Sequence, residues 1–332
     1  MPSLLKYLLL LVLSSLILAC GDSESESEPS PTPASKPESA EEAVPEPAPA
    51  SYPSREFKQY WYQGKAELTS FKLEQARYGE MREGYAIAVF VTEDFSRSRH
   101  VKLDYPEQAG EDREPVLKFN LNKRFVTGIY DYTLMQSVFT PVDIIKAPHS
   151  LRVTTSNIEW CGQFLTSARL HEAGYEVQYQ SYFDGEEDLK LILPKEILED
   201  EIWNLIRIAP EKLPQGDLTV IPGILTQELT HQKLQAERAI ATLKEDGEDH
   251  YTYTLTYPRI SRILSITFEE SFPYRIVSWE ETFDSVSGWG LESKTLTTRA
   301  TRIKHTMSDY WNQKYSQHED LRNERLGIET IP

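Results

Sequence analysis

Tyr251-Thr252-Tyr253-Thr254-Leu255-Thr256-Tyr257 alternates large apolar side chains with threonines without a break. A side-chain period of two is the period of a β-strand, and the threonines mark the second face as solvated. Such a strand belongs in an antiparallel sheet with one packed face and one wet face. The pattern recurs on both sides of this stretch. Leu264, Ile266 and Phe268 follow it, and upstream Leu117, Phe119 and Leu121 alternate with Lys118 and Asn120. Tyr175, Val177 and Tyr179 alternate with Glu176 and Gln178, and Leu189, Leu191 and Leu193 flank Lys190. Tyr85 to Val91 is apolar on both faces, as a central strand would be. Asp184-Gly185 and Asp246-Gly247 lie between such runs and read as hairpin turns, with Glu83-Gly84 and Ala173-Gly174 as further turn candidates.

One segment breaks the strand period. Pro194 suits a first helical turn, and Leu198, Ile202, Leu205 and Ile206 then recur at helical spacing until Pro210. This predicts a helix near 195–208, separating lobes at about 55–193 and 215–305. The tail from Ser308 to Leu326 carries a weaker apolar stripe and reads as a second helix. Leu229 to Glu245 has helical composition but strand-like neighbours, and is read as strand. The fold expected is mainly β: an antiparallel meander forming strongly curved sheets or an incomplete barrel in two lobes.

The N-terminus reads as an address. Lys6 precedes an apolar run, Tyr7 to Leu18, too short for a permanent spanning helix, which needs about 20 residues. Ile17-Leu18-Ala19-Cys20 resembles the lipobox of bacterial lipoproteins. That resemblance implies a signal peptide over 1–20 and acylation (palmitate among the acyl chains) at Cys20. Gly21, in place of the Asp that retains lipoproteins in the inner membrane, implies outer-membrane anchoring, facing the periplasm or, with the acidic run after it, the cell surface. Between positions 21 and 54 eight acidic residues face one lysine, and prolines stand at 29, 31, 33, 37, 45, 47, 49 and 53. Such a composition buries too little apolar surface to offset ordering entropy, so 21–54 reads as a disordered tether. The globular body is then 55–332. No later stretch is apolar enough to span a bilayer, which leaves the lipid as the sole anchor.

The net charge of −17 argues against nucleic acid as a partner. With Cys20 assigned to the signal, Cys161 has no disulfide partner and reads as a small buried side chain. The seven histidines are scattered, so neither a metal nor a cofactor is expected. Phosphate-loop, dinucleotide, nucleophile-elbow and zincin motifs are missing.

Several stretches together resemble a family. They are Trp61-Tyr62-Gln63-Gly64-Lys65-Ala66-Glu67, Gln75-Ala76-Arg77-Tyr78-Gly79-Glu80, Glu159-Trp160-Cys161-Gly162, Phe272-Pro273-Tyr274 with Ser278-Trp279-Glu280-Glu281-Thr282, and Leu296-Thr297-Thr298-Arg299-Ala300-Thr301. They resemble an uncharacterised lipoprotein family of Bacteroidota, over about residues 55 to 328. Some of its members carry the name of the Maf septum-formation inhibitors. Those inhibitors are cytoplasmic enzymes with a phosphate loop near the start, where this chain has a signal peptide. The resemblance implies no catalytic residues.

Four features compete for a functional role. Asp184-Gly185-Glu186-Glu187-Asp188 lacks the donor alternation of a calcium loop and reads as a solvated turn. Glu280 and Glu281, adjacent in a strand, point to opposite faces and cannot share one acid–base site; one is expected to pair with Arg275 or Arg299. Tyr60-Trp61-Tyr62 either stacks on a ligand or plugs the core. Trp289, framed by Ser287, Gly288 and Gly290, sits at a predicted hairpin tip. Trp289, Trp61 and Tyr62 are therefore the candidate ligand or partner contacts. Three function classes remain open. The favoured one is a non-catalytic binder of an apolar or amphipathic envelope component such as a lipid. The others are an interaction scaffold for an envelope protein assembly, and an enzyme using Glu159, His149 or Cys161.

Overall fold

The structure, a computed structural model, describes residues 52–182, 188–287 and 292–329. Sixteen strands make one sheet. In chain order they are β1 (Ala66–Arg77), β2 (Glu80–Ser96), β3 (Val101–Lys102), β4 (Arg113–Thr127), β5 (Tyr130–Pro141), β6 (Arg152–Glu159), β7 (Gly162–His171) and β8 (Gly174–Ser181). There follow β9 (Leu189–Leu193), β10 (Ile197–Leu198), β11 (Gly216–Ile221), β12 (Glu237–Glu245), β13 (His250–Tyr257), β14 (Arg262–Glu269), β15 (Ile276–Ser287) and β16 (Glu292–Ser308). The helices are α1 (Arg55–Trp61), α2 (Glu199–Ile208), α3 (Ile224–Thr230) and α4 (Asp320–Leu326).

The sheet order is β10-β11-β12-β13-β14-β15-β16-β1-β2-β4-β5-β6-β7-β8-β9, with β3 a short annex on β2. Every pairing is antiparallel except the two-residue β10–β11 bridge. The two expected lobes are the two arms of this single sheet, joined where β16 pairs with β1 from Ala66↔Ser308 onward. The free edges, β9 and β10, are consecutive in the chain and separated only by Pro194-Lys195-Glu196. The fold is thus an incomplete barrel: one curved sheet, unclosed along a seam between β9 and β10.

The inward faces are those the alternation picked out. Leu117, Phe119 and Leu121, Tyr253, Leu255 and Tyr257, and Leu264, Ile266 and Phe268 are all buried in one core. α2 fills the concavity. Its Trp203 stacks on Phe119 of β4 at 5.3 Å and meets Trp279 of β15 edge-on at 5.3 Å, so one side chain binds both arms.

Three local expectations are corrected. The helix begins at Glu199, not in the turn containing Pro194, because Ile197 and Leu198 first bridge to Val220 and Ile221. Glu201 reaches back to the Leu198 N–H at 3.2 Å and caps the true start. Glu83-Gly84 is not a turn but lies inside β2, where a Cβ on Gly84 would come within 2.1 Å of the Arg124 carbonyl oxygen. The turn is Tyr78-Gly79, both at positive φ (55° and 72°), the arrangement that suits a tight hairpin. Finally, β16 continues to Ser308, so only Asp320–Leu326 of the tail is α-helical; Leu326 and Ile328 pack on Ala66, Leu68 and Val89.

Candidate functional site

The connection from β11 to β12 is too long for a hairpin and is folded into α3 beside the seam. α3 is fastened by polar bonds from several elements. The Ile224 N–H donates to Asp200 Oδ2 (3.3 Å) and the Thr226 hydroxyl to Glu281 Oε1 (2.6 Å). Glu228 Oε1 accepts from the hydroxyls of Thr155 (2.6 Å) and Thr166, on β6 and β7. Arg77 of β1 donates to the Leu229 carbonyl at 2.5 Å.

A cleft of about 410 Å³ lies between α3 and the β7–β9 edge. Tyr179, Leu189, Leu191, Ile224 and Leu234 give it an apolar wall, and Gln227, His231 and Lys233 a polar rim. On the other flank of α3, Arg77, Tyr78, Leu229, Phe283 and Ser285 line a second cleft of about 320 Å³.

Under α3 lies a charged floor. The three acids that open α2 fan out to different elements. Glu199 accepts from Tyr257 Oη (2.7 Å) and Arg262; Asp200 accepts from Gln136 (2.8 Å) as well as Ile224; Glu201 accepts from the Ser150 N–H (2.6 Å) and stands 3.4 Å from His149. Arg262 also reaches Glu281 (2.6 Å), so one guanidinium bridges two buried carboxylates. Burial, reinforced by Glu199, pushes the Asp200 carboxyl well above the usual range. Burial alone would raise Glu281 too, but Arg262 and Lys123 outweigh it and pull it down. Lys123 is buried among these groups, its amine 5.9 Å from the Trp279 ring and, among the described residues, without a hydrogen bond or ion pair, and burial lowers its pKa. The free space here is about 20 Å³, enough for about one water. With α3 in place this floor excludes a substrate. It fixes α2 and α3 to both arms through charges that would be costly to leave unpaired.

The sequence-derived candidates are scattered relative to this site. Trp61 is corrected: it is 1 % exposed, packed against Phe57, Tyr60 and Phe90 with the Arg207 guanidinium over its ring, and serves the core instead of a ligand. Tyr62 is 48 % exposed at the end of α1, edge-on to Phe57, and does not line the clefts above. Trp289, Cys20 and the Asp184-Gly185 turn lie outside the described residues. Cys161 is not buried but exposed, because it sits in the β6–β7 turn; the neighbouring Glu159 carboxylate raises its thiol. Glu159 and Cys161 stand at one end of β6 and His149 lies before the other, so the three do not converge. Glu280 pairs outward with Arg299 (3.0 Å) while Glu281 turns inward to Arg262, as strand alternation requires. Sequence reading missed Glu199, Asp200, Arg262 and Lys123. Among the described residues no group of three His, Cys, Asp or Glu could hold a metal ion, and no helix is long and apolar enough to cross a membrane.

No protein-family model matches the chain. No curated protein matches it either. Among solved structures it is similar to a beta-barrel-like protein of a domain of unknown function, DUF1849, from Brucella abortus. The two share 9 % identity over 74 % of this chain and 98 % of that one, with a TM-score of 0.41.

Proposed function

We propose that the body is a non-catalytic binder of an amphipathic envelope component, with its site in the cleft at the seam between α3 and β9. The cleft itself carries this reading. Its volume, about 410 Å³, falls within the ~300–1,000 Å³ of small-molecule sites. An aliphatic and aromatic wall beside an edge of Gln227, His231 and Lys233 suits a molecule with an apolar body and a polar head. The charged floor favours binding over catalysis, since its groups are committed to one another and enclose room for about one water. We propose further that the chain is lipidated at Cys20 and held at the outer membrane by that lipid, which would keep such a binder near its ligand.

The test fills the cleft. Purified body is titrated with a fluorescent apolar probe. Wild type is expected to bind saturably, and Leu191→Trp, which places an indole in the cleft, to bind at least tenfold more weakly while melting within a few degrees of wild type. Equal binding by the two proteins would refute the site. The free β9 edge, with Leu189 48 % and Ile192 65 % exposed, favours the scaffold reading as the second choice. An unpaired strand edge accepts a partner strand.

A further inference from the structure

On the convex face, at the end of the sheet where β6 begins and β7 ends, four basic groups meet. Arg152 of β6 and Arg169 of β7 are direct cross-strand partners. Their neighbours Val153 and Ala168 are buried in the concave core, so both arginines point outward. His171 follows on the same face two residues after Arg169, and the ring of His100, from the loop after β2, meets the His171 ring edge-on at 5.2 Å. Arg152 donates to the His100 carbonyl at 2.9 Å, drawing that loop onto the strands, and His100 is only 4 % exposed.

Like charges directly opposite on a sheet destabilise it. Among the described residues no ion pair relieves these two arginines. The one carboxylate facing them across the sheet, Glu176 opposite Arg169, accepts instead from Gln178 at 3.0 Å. The Nε–H groups of Arg152 and Arg169 are both buried without an acceptor. An unsatisfied buried donor is destabilising, and here two adjoin in a chain whose net charge is −17. Burial together with Arg169 holds Arg152 below the usual guanidinium range, and burial, His171 and both arginines depress His100. The side-chain charges that depress His100 are all basic.

We propose that Arg152, Arg169, His171 and His100 form a binding site for a phosphate-class oxyanion. Two guanidiniums side by side offer forked donors that match tetrahedral oxyanion geometry. The anion would be either a free phosphate monoester or the phosphate of a lipid headgroup. The site is independent of the seam cleft, which lies beside α3 and is lined by other residues.

Calorimetric titration of the mature chain with inorganic phosphate, and co-sedimentation with phosphatidylcholine vesicles with and without phosphatidic acid, test it. Wild type is expected to bind phosphate, the phosphatidic acid vesicles or both. Arg169→Gln and Arg152→Gln are each expected to weaken that binding at least tenfold, and Arg238→Gln, a distant exposed arginine, to leave it unchanged. Binding in solution assigns a free phosphate, and binding to vesicles alone assigns a headgroup. Should a glutamine variant fail to fold, Arg169→Lys, which keeps the charge but loses the fork, is expected to bind severalfold more weakly than wild type. Failure to bind both probes, or wild-type affinity in the Arg169 and Arg152 variants, overturns the proposal.

Discussion

A carboxyl group whose pKa is raised by its fold weakens that fold at any pH where the unfolded chain would ionise it. Asp200 is such a group. Its folded pKa is raised well above the ordinary 3.8, so its contribution is favourable only below about 3.8 and is lost as pH rises towards the folded value. Asp200→Asn supplies a neutral side chain of the same shape that can still accept from Ile224. The variant is expected to be more stable than wild type in urea unfolding at pH 7, with the difference shrinking towards pH 4; a variant less stable at pH 7 would contradict a raised Asp200 pKa. Glu67 has the opposite sign. Both its oxygens receive Arg207 at 2.7 Å, which outweighs burial and lowers its pKa, so its contribution holds above the ordinary 4.5 and is lost as pH falls through the lower folded value. Neither residue announced itself in the sequence. Glu199-Asp200-Glu201 reads as the acidic first turn that a helix dipole favours, and Glu67 lies far from Arg207 in the chain, beyond any local spacing rule. What was legible at this scale was one-dimensional: the opposed faces of Glu280 and Glu281 follow from a period of two alone.

The strands were legible because half-buried antiparallel strands write their burial into the sequence with period two. α3 was not. Its seven residues span two turns, too few to establish a helical period, and two of the carboxylates that anchor it, Asp200 and Glu281, come from other elements. Reading the stretch by its neighbours located β12 but passed over the helix before it. The same anchoring bears on its dynamics. Short elements held by a few polar bonds open at lower free energy than long ladders in the core. Amide hydrogen exchange is therefore expected to reach Ile224–Thr230 and 231–236 well before the β1–β2–β4 ladders, and ligand in the seam cleft should slow it. Protection of α3 equal to that of β2 would show that it opens only with the whole fold.

For the whole molecule, fold class was legible and closure was not. An incomplete barrel follows from many alternating strands, but no strand of β9 or β10 reveals that it lacks a neighbour. That depends on Pro194, which has no N–H to offer a ladder, and on α2 and α3 occupying the interior. The proposed attachment also belongs to this scale. If Cys20 carries the anchor, Cys20→Ser should lose incorporated fatty acid and move from the membrane fraction to the soluble one. A serine variant that stays with the membrane would place the anchorage in the body.

The joining of β1 to β16 has a consequence for the order in which the chain is made. Apart from that ladder and the β3 annex, each long strand pairs with a neighbour in sequence, so either arm can form as soon as it emerges. β1 leads the body, yet its second partner is the last strand to be synthesised. Until Glu292–Ser308 arrives, the strand at the centre of the finished sheet is a bare edge, flanked by the apolar residues of β2. Nascent chains pass through that state, and it is there that pairing with a foreign strand competes with completion. The ladder at the centre of the finished sheet is thus the last to be completed, and a truncation from β16 onward would fix the chain in that condition.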